Sequence, residues 1–133
     1  MDASLRPFVV KRSSGHCEYC RIPQIYFTER FQIEHIVSRQ HRGMTIESNL
    51  AIACARCNLH KGPNIAGIDP ISEELVRLFN PRIDNWTEHF EQDLSGQIVG
   101  ITGIGRATVY VLGMNELRRI ELRVAISLLA KNG

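Results

Sequence analysis

Apolar and polar positions change period several times along the chain, and each change marks an element. Residues Phe31-Gln32-Ile33-Glu34-His35-Ile36 alternate, the period-two pattern of a half-buried strand. Phe31, Ile33 and His35 fall on one face by register, with Gln32, Glu34 and Ile36 on the other. Residues 38–48 are polar around Gly43 and predict a connecting loop, and Asn49 to Cys54 predicts a second short strand. From Ala55 to Lys61 the residues are good helix formers, and Gly62-Pro63 supplies a C-cap glycine and a stop. This stretch therefore reads strand, loop, strand, helix. Upstream, residues 4–13 predict a short helix beginning near Pro7 and broken by Ser13-Ser14-Gly15.

Beyond Pro63 the pattern predicts a helix over Ser72–Phe79, with Ser72 as N-cap and Asn80-Pro81 as its end. Trp86 to Asp93 and Gln97 to Ile101 flank Leu94-Ser95-Gly96, a β-hairpin pattern. Over Gly105–Leu112, Thr108 to Val111 favour strand and the stop at Gly113 favours helix; helix is the expectation. Asn115 to Lys131 predicts the longest helix, N-capped by Asn115, with Leu117, Ile120, Val124 and Leu128 as its apolar face. Trp86, Phe79 and Phe90 read as core, His16 and His89 as surface, and Thr102-Gly103-Ile104-Gly105 as a turn.

Composition narrows the class. The chain has 133 residues, 44% of them apolar and 23% charged, which suits one globular domain over 1–133 and excludes a disordered or fibrous chain, and the mixture of expected strands and helices makes its fold class α+β. No window approaches the roughly 18 apolar residues of a membrane span, and Met-Asp-Ala-Ser-Leu-Arg-Pro lacks the apolar run of a secretory leader. A cytoplasmic protein without a membrane partner is the expectation. Charge is uneven: residues 1–62 carry nine Lys/Arg against five Asp/Glu, a net +4, and residues 63–133 carry seven against nine, a net −2. The basic half suits a polyanionic partner.

All four cysteines lie in that half, as Cys17-Glu-Tyr-Cys20 and Cys54-Ala-Arg-Cys57. A reducing cytosol disfavours structural disulfides, whereas two such pairs suit a tetrahedral zinc site. A redox pair is the competing reading, but no βαβ pattern flanks either one. The 33 residues between the pairs exceed a simple zinc ribbon, so the insert has a structural identity of its own.

Within the insert, Glu34 and His35 point to opposite faces of one strand. Where the helix at 55–61 packs across the strands, Asn58 can approach Glu34, and a carboxylate oxygen with an amide oxygen makes a sparse, hard site for a divalent ion. His35, off the metal, is then free to take a proton from water. His60 is the alternative helix-borne ligand; side chains two apart lie about 200° apart on a helix, so Asn58 and His60 cannot share a face. Arg39, Arg42, Arg56, His60 and Lys61 are candidate contacts to a nucleic-acid backbone.

The ordered set of Cys17-x-x-Cys20, Glu34-His35-Ile36, Arg42-Gly43, Ser48-Asn49-Leu50 and Cys54-x-x-Cys57-Asn58-Leu59-His60-Lys61-Gly62 resembles the HNH endonucleases, the ββα-metal nucleases with zinc-knuckle support. The resemblance covers residues 17–62 as an HNH core, and the segment from Gly62 through Trp86 is similar to bacterial HNH proteins, which makes 63–133 a family-specific extension with a hairpin and helices. It implies a metal-dependent DNA endonuclease acting on double-stranded DNA and leaving 5′-phosphate and 3′-hydroxyl ends. By the same resemblance His35 is the general base, Glu34 and Asn58 the ligands of the catalytic ion, Asn49 the residue that braces the loop and orients the histidine, and Cys17, Cys20, Cys54 and Cys57 the structural zinc site. With Glu34 and Asn58 in place of the commoner Asp and His, Mg²⁺ or Mn²⁺ is expected rather than a second Zn²⁺. The alternatives are a non-catalytic zinc-knuckle nucleic-acid-binding module and a zinc-stabilised protein-interaction domain.

Overall fold

The computed structural model describes residues 4–132, backbone only at 132. Helix α1 (Leu5–Arg12) buries Val9 and ends in the turn at Ser13-Ser14-Gly15. Strand β1 (Gln32–His35) pairs antiparallel with β2 (Leu50–Ala53), with Glu34 opposite Ala51 and His35 opposite Leu50. All four residues of β2 are buried. Helix α2 (Ala55–Lys61) follows at once, and Cys54 is its N-cap: the Sγ accepts the Cys57 amide at 3.4 Å, so one cysteine both starts the helix and joins the thiol cluster. Gly62, at φ 49°, ends it as the sequence predicts.

The loop between β1 and β2 is tightly specified. Arg42 sits at φ 67° as the cap of a short turn, and a Cβ on Gly43 would stand 1.7 Å from the Val37 carbonyl oxygen. Only glycine fits there. Asn49 closes the loop: its Oδ1 accepts the Val37 amide, and its Nδ2 donates to the carbonyls of Val37 and Met44, each at 2.9 Å.

In the second half β3 (Ala66–Ile68) pairs antiparallel with β4 (Leu75–Arg77), which corrects the helix expected over Ser72–Phe79. Asp69 decides this. Its carboxylate accepts the Ile71 amide and the Ser72 hydroxyl and is held by the Arg106 guanidinium at 2.8 Å, while Glu73 turns left-handed at φ 64°. The hydroxyl expected to cap a helix thus serves a hairpin turn. Trp86–His89 forms a single helical turn, α3, rather than a hairpin arm, and the hairpin proper is β5 (Phe90–Gln92) with β6 (Ile98–Gly100) around the turn of Asp93 and Gly96. Helix α4 (Gly103–Val111) forms where a helix was expected but starts earlier: Gly103-Ile104-Gly105, expected as a turn, make its first turn because Thr102 caps it through the Gly105 amide.

Helix α5 (Leu117–Asn132) departs from expectation at its start and on its face. Asn115 does not cap it; the side-chain amide pairs with both backbone groups of Ile98 and pins β6. Leu117 and Leu128 are exposed, and the buried positions are Arg119 and Arg123, with Leu122 and Ile126 packed against the core. Two arginines are buried because polar partners await them, which an apolar-periodicity reading does not register. Trp86, Phe79 and Phe90 stack as core, whereas His89, expected on the surface, hydrogen-bonds Thr102 Oγ1 and lies 3.8 Å from Asp84.

The first cysteine pair seals the outer edge of β2. Glu18 exchanges hydrogen bonds with Ile52, its backbone amide donating to the Ile52 carbonyl and its carboxylate accepting the Ile52 amide at 2.8 Å. Arg82 ion-pairs with Glu18, and the Trp86 indole donates to the Tyr19 carbonyl at 2.7 Å, so the second half clamps the knuckle. The buried apolar cluster is continuous from Val9 and β2 to Phe79, Phe90, Leu112 and Met114. Mixed helices and small antiparallel sheets make this an α+β fold. No helix among the described residues is long and apolar enough to cross a membrane.

Candidate functional site

The four cysteines meet. Their Sγ atoms all lie within 4.8 Å of one another, all four residues are buried, and none is in a disulfide. Cys20 and Cys54 Sγ stand 3.8 Å apart, the edge of a tetrahedron with Zn–S bonds of about 2.3 Å and far beyond the roughly 2.05 Å of an S–S bond. Backbone amides of Cys20 and Cys57 point at the sulfurs of Cys17 and Cys54 at 3.5 and 3.4 Å. The hydrogen bonds of Cys17, Cys20 and Cys57 to its sulfur hold Cys54 strongly toward thiolate. This all-sulfur, four-coordinate, closed donor set fits structural zinc.

On β1 the two chemical residues part as the strand period demands. His35 Nε2 hydrogen-bonds Thr45 Oγ1 at 2.8 Å; Nδ1 makes no hydrogen bond among the described residues. Partial burial, then the charges of Arg39 and Lys61, hold the imidazole below its ordinary pKa, which favours the neutral form that can accept a proton. Thr45 lies in the loop that Asn49 closes. Arg39 and Arg42 are exposed in it.

Glu34 turns inward and is 5% exposed. Its Oε2 lies 3.1 Å from Lys61 Nζ, and its Oε1 accepts the Tyr19 hydroxyl. Lys61, 2% exposed, also donates to the carbonyls of Ile36 at 2.8 Å and His35 at 3.3 Å, so its three N–H groups are all used. Burial pushes the Glu34 carboxyl up, against the pull of Lys61 and Tyr19. Burial, then the Glu34 charge, raises the Tyr19 phenol, so its proton stays and donates. Asn58 is half-buried and makes no side-chain hydrogen bond among the described residues, to Glu34 or to any other.

Two expectations are corrected by this arrangement. Lys61 is not a surface contact for a nucleic-acid backbone; it is the buried partner of Glu34. His60, a candidate backbone contact, is instead engaged within the fold: its Nε2 lies 3.3 Å from both Glu116 and Arg56, and its ring packs over Gly113. Arg56 stays half-exposed but ion-pairs with Glu116, whose carboxyl it pulls down to about 2. Of the candidate backbone contacts, Arg39 and Arg42 alone are exposed and unpaired by a carboxylate among the described residues.

Sequence reasoning missed Tyr19, Thr45, Glu18, Arg82 and Arg119. Tyr19 and Glu18 sit between the first two cysteines, and that position was their only available signal. Nothing in the local pattern marks the other three.

No curated protein and no solved structure matches the chain. The family model described as HNH endonuclease matches residues 17–64, which hold both cysteine pairs, the β1–β2 unit and α2. With its thiol tetrad, its Asn49-braced loop and His35 beside it, this segment is similar to the HNH endonucleases.

Proposed function

We propose that the protein is an endonuclease that hydrolyses phosphodiester bonds in double-stranded DNA with His35 as general base. The observation that carries this reading is the state of His35: neutral-leaning, oriented through Thr45 by a loop that Asn49 closes, and with Nδ1 unpartnered. With Nε2–H donating to Thr45, Nδ1 holds the lone pair. It takes a proton from water, the water oxygen bonds to phosphorus, the bond to the 3′ oxygen breaks, and that oxygen takes a proton from solvent. The products are 5′-phosphate and 3′-hydroxyl ends. Arg39 and Arg42, exposed in the loop that follows His35, supply backbone affinity.

The oxygens of Glu34 and Asn58 suit Mg²⁺ or Mn²⁺. Such an ion, held there, would supply positive charge near the phosphate and leaving oxygen. Because the Lys61 ammonium holds Glu34, ion uptake at Glu34 requires Lys61 to yield it.

Supercoiled plasmid incubated with the zinc-loaded protein, in EDTA and then in Mg²⁺ or Mn²⁺, tests the reading. Metal-dependent nicking that drops roughly 10²–10⁴-fold in His35→Ala supports it. Undiminished nicking by that variant overturns the role of His35. The buried Lys61–Glu34 pair favours one second reading, a nucleic-acid-binding module without catalysis; retardation of the plasmid with no cutting in either metal establishes that one instead.

A further inference from the structure

The buried cations near the thiol tetrad come from outside the matched segment. Arg119, on α5, is 4% exposed and donates through Nη1 to Cys57 Sγ at 3.0 Å. Its other N–H groups are fixed by the Leu112 carbonyl at 2.7 Å and by Glu116. Arg123, one turn on, is 3% exposed and donates to the carbonyls of Met114 and Gly96, and its Nε has no partner.

Buried guanidinium groups are costly without counter-charge, and no carboxylate pairs with Arg123 among the described residues. Four thiolates around one Zn²⁺ carry two net negative charges, and the two arginines carry two positive ones. We propose that Arg119, assisted at longer range by Arg123, is a positioning and charge-balancing residue for zinc, so that metal retention and the docking of α5 are one linked property. Residues 63–133 are in this respect part of the metal centre. The inference rests on the zinc reading of the tetrad and not on nuclease activity.

Full-length protein loaded with zinc, and separately with Co²⁺, tests it in wild type, Arg119→Met, Arg119→Lys and the exposed neighbour Arg118→Met. Competition with a chelating dye at fixed pH should show zinc held about 10–100-fold more weakly in Arg119→Met, less so in Arg119→Lys, and unchanged in Arg118→Met. The thiolate-to-cobalt charge-transfer band should move in Arg119→Met, because Cys57 sulfur loses a donor, an effect that simple loosening of a helix does not produce. In wild type, hydrogen exchange over α5 should rise in step with zinc extraction, a readout that needs no variant. Unchanged zinc affinity and an unmoved cobalt band in Arg119→Met overturn the inference alone, as does an α5 that stays protected after the zinc is gone. A wild type that takes up no zinc overturns it together with the zinc reading.

Discussion

Replacing Lys61 by methionine removes the one cation that, among the described residues, pairs with Glu34, and leaves a 5% exposed carboxylate with the Tyr19 hydroxyl as its remaining partner there. The carbonyls of His35 and Ile36 lose a donor as well. Breaking a buried pair from one side typically costs about 3–5 kcal/mol. An independent ceiling comes from protonation: a carboxyl forced neutral at pH 7, against an ordinary value of about 4.3, costs up to 1.4 kcal/mol per unit, or about 3.7 kcal/mol. The two figures agree, so Lys61→Met should lose about 3–4 kcal/mol at pH 7. The sign with pH follows from the same ceiling. Burial already pushes Glu34 up, and without Lys61 it rises further, so the folded variant binds a proton that the unfolded chain has released. Its deficit is greatest at neutral pH and shrinks as pH falls, by at most about 2 kcal/mol between pH 7 and pH 5.5. Thermal or urea denaturation of both proteins, zinc-loaded and without added Mg²⁺ or Mn²⁺, measures this. Glu34→Gln combined with Lys61→Met should be less destabilised than the two single losses add up to. A deficit under about 1 kcal/mol, or one that does not change with pH, refutes a buried pair whose cost is set by Glu34.

Asn49→Asp keeps the acceptor for the Val37 amide but loses the donors to Val37 and Met44; plasmid nicking should fall while zinc content stays at wild-type level, and full activity in this variant removes Asn49 from the orientation of His35. Asn58→Ala should raise the Mg²⁺ or Mn²⁺ concentration needed for half-maximal nicking, whereas His60→Ala, which touches Arg56, Glu116 and Gly113, should not. The opposite outcome in metal titrations of the two variants moves the ion to His60.

How far the sequence determines this protein differs between its halves. From 31 to 62 each local signal agreed with the next: alternation for β1, a glycine that only a tight loop needs, helix formers closed by Gly62-Pro63, and cysteine spacing that pointed to one tetrad. Those features act within a few residues or through one metal-type cluster, so pattern alone reports them. Ser72–Phe79 failed because the helix signal at Ser72 was overridden by Asp69 and its partner Arg106, 37 residues away. The same reason covers Asn115, taken by β6 instead of a helix cap, and Arg119 and Arg123, whose burial depends on the thiols and carbonyls that tertiary packing brings to them. Glu34, His35, Asn49 and Asn58 could be named as candidates from the sequence, but not their surroundings. That Glu34 meets Lys61 and not open water, that His60 turns to Glu116, and that His35 rests on Thr45 are decided by which side chains fold against each other. A one-dimensional period encodes which face a residue takes; the partner it meets on that face is set only when distant segments pack.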